Sequence, residues 1–144
     1  ILDNMMEQFL EVKPDYSSNA IDRTFPFGTE IEIFNFKTLE YIWKNAKRTS
    51  ELEHVTIYII NNPQKFKILS VKNSSDLSHL RWTVDRKNDL ELVRLIAKKI
   101  KNRPILLEDI LHLFDKEPNL KQINKNNIPD EGYLKSLENE KMHN

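Results

Sequence analysis

Leu80-Arg81-Trp82-Thr83-Val84-Asp85 is the stretch on which the fold turns. Leu80 to Val84 has the branched and aromatic residues of a short strand, and the run ends on a carboxylate. Behind it Leu90, Val93, Ile96, Ala97 and Ile100 recur at helical spacing, which predicts a helix over 88–101. Ligands of open α/β sheets sit at the carboxyl ends of strands, so Asp85 is the first candidate for chemistry. Two readings of it stay open. It can offer oxygen to Mg²⁺, a hard cation that usually bridges to phosphates. It can also cap the following helix by accepting free backbone amides.

Outward from this stretch, apolar spacing alternates between the two periods. Phe66 to Val71 is a second strand. Glu30-Ile31-Glu32-Ile33-Phe34 alternates polar and apolar, the mark of a half-buried strand. Tyr16 to Asn19 is short enough to be another. Ile1, Leu2, Met5, Met6, Phe9 and Leu10 share a helical face that Pro14 terminates. Phe36, Leu39, Ile42, Trp43 and Ala46 predict a helix to about Lys47, and Leu107, Ile110, Leu111 and Phe114 predict one more. Thr24-Phe25-Pro26-Phe27-Gly28 is a turn. Residues 51–61 are ambiguous: Val55 to Ile60 favours a strand, whereas Ser50 with Glu53 three residues on could cap a helix. Strands separated by helices make an α/β protein. After Pro118 the composition turns polar, so residues 118–144 are read as a loosely attached extension to a domain over 1–117.

Composition narrows the function classes. The 144 residues carry 22 basic and 22 acidic side chains, with no basic excess to mark a nucleic-acid footprint. The apolar stretches are too short to span a membrane, and a cytoplasmic protein is the expectation. There is no cysteine, hence no disulfide scaffold, thiolate zinc site or cysteine nucleophile. Gly28 and Gly132 are the only glycines, too few for a phosphate-cradling loop. If a nucleotide binds, its main cradle lies elsewhere.

The remaining polar candidates each carry a bland alternative. Glu30 and Glu32, two apart on a strand, face one way and could bind a sugar or a cation, or form a solvated face. His54 could hydrogen-bond a sugar carboxylate or hydroxyl, while His79, His112 and His143 are too scattered for a zinc site. Arg23, Arg81 and Arg86 could each grip phosphate or carboxylate with a bidentate fork, or form surface salt bridges. Ser17 and Ser18 lack a nucleophile elbow. No residue is assigned a catalytic role.

Four segments in order carry a resemblance: Thr24 to Phe34, Glu53 to Ile59, Asp76 to Asp85, and Asp89-Leu90-Glu91-Leu92-Val93. Together they resemble the spore coat polysaccharide biosynthesis protein F family of cytidylyltransferases. That family is similar to the enzymes that make CMP-activated 3-deoxy-manno-octulosonate and sialic acids. Glu131 to Leu137 also resembles its members. The resemblance implies the C-terminal part of a Rossmann-like, glycosyltransferase-A-like nucleotidyltransferase, a mixed sheet flanked by helices. It makes residues 53–61 helical and Asp85 a ligand of catalytic Mg²⁺. It places Glu30 and Glu32 on the strand bordering a sugar pocket and His54 beside it; Arg23, read from its bidentate fork, is the further substrate-binding candidate. The implied partners are CTP and a sugar, with a CMP-sugar for polysaccharide biosynthesis as product; a homodimer is compatible with it. Two departures leave open a changed sugar specificity or a pseudoenzyme: Phe27 stands where the family commonly has Asp, and Arg86-Lys87-Asn88 follows Asp85 where the family often has Thr-Pro-Glu. The family's CTP-gripping loop has no counterpart in these residues, so the chain is expected to be about the second half of such an enzyme, inactive alone. The alternative is a non-catalytic sugar-binding or assembly module.

Overall fold

The computed structural model describes residues 1–127, which form two compact units. Of these residues, the first unit comprises 1–22 and 31–72, and the second 23–30 and 73–127. The segment 131–137 and the rest of the expected extension beyond Asn127 lie outside the described residues.

In the first unit, α1 spans Leu2–Val12. Lys13 closes it in the left-handed conformation, with φ 49°, and Pro14 prevents continuation. Only Met5 of its apolar face is buried. A three-stranded mixed sheet follows, built from β1 (Tyr16–Ser18), β2 (Glu32–Phe34) and β3 (Ile68–Ser70) in the order β2-β1-β3. The central strand β1 runs antiparallel to β2 and parallel to β3, with Tyr16 opposite Phe34 on one side and Ile68 on the other. Helix α2 (Phe36–Asn45) is capped by the Asn35 side chain, which accepts from the Thr38 amide at 2.9 Å. Its buried face is Thr38 and Ile42, whereas Phe36 and Trp43 are 77% and 74% exposed, a rotation from the predicted apolar face.

The ambiguous stretch is helical in two pieces, α3 (Thr49–Glu53) and α4 (Ile57–Asn61). The strand propensity of Val55 to Ile60 yields to burial, since Tyr58 and Ile59 join Tyr16 and Ile42 in one core. The cap of α3 is not the predicted Ser50. Glu51 accepts from the amides of Lys47 and Arg48 at 3.3 and 3.4 Å, and Ser50 is buried inside the helix.

In the second unit, α5 (Lys87–Lys99) and α6 (Leu107–Lys116) enclose a core of Leu80, Leu92, Ile96, Ile100, Phe114 and Leu120. Trp82 meets Phe114 edge-on at 6.1 Å. The predicted apolar face of α5 is rotated too: Leu90 is exposed, and the buried line is Asp89, Leu92 and Ile96. A carboxylate thus occupies the first buried position.

The strand predicted over 80–84 does not form. It is reduced to one bridge between Phe27 and Arg81, with Phe27 N–H donating to Leu80 O at 2.9 Å and Trp82 N–H to Phe27 O at 2.6 Å. The partner segment cannot extend a ladder. The N–H groups that would carry it further are used locally: Thr29 N–H, on the same side as that of Phe27, turns back to Pro26 O at 3.3 Å, and Leu80 N–H goes to Leu77 O at 3.0 Å. Nor is the polar run after Pro118 loosely attached up to Asn127, because Leu120 and Asn124 are 7% and 3% exposed.

Candidate active site

The site in the second unit is built on the bridge between Phe27 and Arg81. Gly28 makes the close approach possible. Its φ is +95°, and a Cβ there would lie 2.6 Å from Thr83 N and from Trp82 C. Only glycine accepts both the conformation and the contact. The turn's charges are internally settled: Arg23 pairs with the Glu30 carboxylate, and its guanidinium stacks over Phe27 at 3.8 Å. Phe27 thus supplies a ring face to a cation.

On the other side of the bridge lies Arg81, whose side chain is 10% exposed. Its Nε donates to Asp89 Oδ1 at 3.2 Å, and its Nη2 to Asp89 Oδ2 at 3.3 Å and Asp85 Oδ2 at 2.6 Å. One guanidinium therefore serves two carboxylates. Asp89 is fully buried, whereas the Asp85 side chain is 67% exposed.

Asp89 collects six donors. Oδ1 accepts from Arg81 Nε and from the amides of Asn124 and Asn127, at 2.8 and 2.9 Å. Oδ2 accepts from Arg81 Nη2 and from the backbone N–H groups of Asp85 and Arg86, at 3.3 and 3.1 Å. Burial by itself would raise the Asp89 pKa; the hydrogen bonds from Arg81, Asn124, Asn127 and the Asp85 backbone overcome it and hold the group at about 2. Asp89, not Asp85, is the carboxylate that caps α5, at the third helical position where an acid can reach back to the cap amide.

Two polar atoms in the adjoining segment, Trp82 Nε1 and Thr83 Oγ1, are buried without a hydrogen-bond partner among the described residues. Such unpaired buried groups are uncommon in native folds.

The predicted site residues are thus divided. Arg23, Glu30 and Asp85 fall in the second unit, with Arg23 and Glu30 paired to each other. Glu32 and His54 fall in the first. The paired face expected for Glu30 and Glu32 is not formed, because β2 starts at Glu32 and Glu30 folds back on its own turn. Glu32 instead accepts from the Tyr16 hydroxyl. Burial and this carboxylate raise the Tyr16 pKa. His54 follows α3 as its C-cap, with Nε2 3.9 Å from Glu53 Oε2.

Among the described residues no three acidic or histidine side chains cluster to hold a metal. With Asp89 saturated, Asp85 is the one carboxylate of this loop that could reach a cation. A single ligand suits Mg²⁺, which is bound through one or two carboxylates and completes its shell with water and phosphate. Sequence reasoning missed Asp89, Asn124 and Asn127. An acid three positions into a helix is a legible capping signal; the asparagines, more than 30 residues away, carry none.

The chain matches a cytidylyltransferase from Leptospira borgpetersenii serovar Hardjo-bovis with a TM-score of 0.80 at 28% identity, over 88% of this chain and 53% of that one. In sequence it is 33% identical over 128 residues to an uncharacterized protein of Methanocaldococcus jannaschii, covering 88% of this chain and 51% of the relative. No protein-family model matches it. The chain therefore shares a cytidylyltransferase fold and spans about half the length of the proteins it matches. No helix among the described residues is long and apolar enough to cross a membrane.

Proposed function

We propose that the chain is the C-terminal part of a sugar cytidylyltransferase with a Rossmann-like sheet. The reaction joins a sugar hydroxyl to the α-phosphate of CTP and releases pyrophosphate. The CMP-sugar product serves surface polysaccharide or glycoconjugate synthesis in the cytoplasm. The observation that supports this most is the 0.80 TM-score to a cytidylyltransferase across 88% of the chain. Asp85 supports it locally, as an exposed carboxylate beside a buried cation.

Asp85 would hold Mg²⁺, which when bound neutralises charge on the phosphates. The residues of this chain otherwise work by positioning. Arg23, Glu30, Glu32 and His54 are the candidates for the sugar side. The cradle for the triphosphate, which needs glycines this chain does not supply, belongs to a segment outside these residues.

The test is Mg²⁺-dependent pyrophosphate release from CTP by the full-length protein, wild type against Asp85→Asn, over a panel of acidic and neutral sugars. Release with one sugar, reduced at least about 100-fold in the variant, is the expected result. Release that Asp85→Asn leaves intact would remove Asp85 from the site. No release with any sugar would favour a non-catalytic sugar-binding module.

A further inference from the structure

An exposed carboxylate on a flexible side chain makes a poor ligand unless something fixes it. Asp85 is fixed twice by the same buried group. Its backbone N–H donates to Asp89 Oδ2, and its side chain meets Arg81 Nη2, which Asp89 also holds. Arg81 has already lost its rotamer freedom to the two oxygens of Asp89, so pairing with Asp85 freezes only one short side chain. Asp89 is held in turn by Asn124 and Asn127. Asn124 also donates to the Arg81 carbonyl at 2.9 Å, gripping Arg81 from its backbone side.

We propose that Arg81 is a positioning residue for Asp85, and that Asn124 and Asn127 act on the site through Asp89 and Arg81. The run from Asn124 to Asp85 is a relay from the interior to the surface. It orients Asp85 Oδ2 toward the guanidinium and leaves the second oxygen to face outward. The polar C-terminal run is also pinned onto α5 outside the relay: Asn88 Nδ2 donates to Ile123 O at 3.2 Å and to Asn127 Oδ1 at 3.0 Å, and Asn127 Nδ2 donates to Asn88 Oδ1 at 2.8 Å. That Asp85 is a metal ligand rests on the proposed function; that it is held in one rotamer does not.

Two measurements on the full-length protein separate these claims. Three-bond couplings from Asp85 Cγ to its own amide nitrogen and carbonyl carbon report the χ1 rotamer by NMR. Wild type is expected to show single-rotamer values. Arg81→Lys, which keeps the charge and loses the fork, is expected to show averaged values, and so is Asn124→Ala. Averaged couplings in wild type, or single-rotamer couplings in both variants, would overturn the proposal. Mn²⁺ with CTP present, titrated by water-proton relaxation, is the metal probe. Outer-shell substitutions typically weaken metal sites about 10–100-fold, and Asn124→Ala is expected to weaken Mn²⁺ binding by at least the lower figure. Mn²⁺ bound equally by wild type and Asn124→Ala would count against the relay. If the couplings behave as expected and wild type binds no Mn²⁺ with CTP present, the positioning role stands and the metal reading of Asp85 falls.

Discussion

Asp89→Asn is the sharpest perturbation available. The substitution preserves volume, so no cavity forms, and its cost is electrostatic. Each oxygen of Asp89 accepts from three donors. Either orientation of an asparagine amide therefore points an NH₂ group at three N–H groups. The Arg81 charge, in a side chain 10% exposed, also loses its buried counter-ion. Breaking such a pair from one side costs about 3–5 kcal/mol, because the surviving charge stays desolvated. Asp85→Asn is the internal control. It touches the same guanidinium from a side chain 67% exposed and should cost at most about 1 kcal/mol. Urea unfolding followed by tryptophan fluorescence measures both. A Trp43→Phe background silences the exposed Trp43, leaving Trp82, which packs on Phe114 in the same unit as Asp89. A single reporter in one unit also avoids assuming that both units unfold together. A loss below about 1 kcal/mol for Asp89→Asn, or equal losses for the two variants, would refute the reasoning.

Acid should act on the same group. The Asp89 pKa falls from an ordinary 3.8 to about 2 on folding, so its stabilisation is complete above pH 4 and is lost as pH drops toward 2. The shift corresponds to about 2 kcal/mol, and stability measured across that window should show this component in wild type and lack it in Asp89→Asn. Gly28→Ala should cost about 1–3 kcal/mol from its left-handed backbone alone, before the contact with the Thr83 and Trp82 backbone is counted. Urea unfolding with the Trp82 signal checks it, and a loss under about 0.5 kcal/mol would mean that the turn relaxes freely.

Much of the fold is legible because periodicity dominates where an element has one dry face. The helices near 2–12, 36–45, 87–99 and 107–116 follow from apolar spacing. Their rotations do not. Phe36 and Trp43 read as core by spacing and lie in solvent, and Leu90 gives way to Asp89 on the inner face of α5. A hydrophobicity pattern cannot anticipate a buried carboxylate, because that burial depends on donors from Arg81, Asn124 and Asn127. The strand over 80–84 failed for a similar reason: propensity describes the strand, and the missing information is whether its partner can pair. In that partner the Thr29 N–H folds back onto Pro26 O, and pairing stops at one bridge. Asp85 stood out in the sequence as a carboxylate before a helix, but the capping duty that competes with ligand binding belongs to Asp89.

The charges of the second unit's site give that division of labour its consequence. Arg23 and Glu30 cancel. Arg81 and Asp89 cancel as well, with side chains 10% and 0% exposed. What remains, apart from the neighbouring Arg86, is one negative charge, on Asp85, held on a guanidinium that has already been neutralised from its buried side. Had Asp89 been absent, Arg81 would keep its full charge for Asp85, and a divalent cation would have to compete with it. With Asp89 present, the carboxylate keeps most of its attraction for an outside cation while its orientation is still imposed by the arginine. One carboxylate is a weak site for Mg²⁺ by itself, since the ion retains its waters unless phosphate oxygens replace them. On the proposed reading, metal and nucleotide therefore arrive as one charged complex. The loop's task is to present a single oxygen at a fixed place, which is the arrangement that the relay from Asn124 through Asp89 and Arg81 to Asp85 maintains.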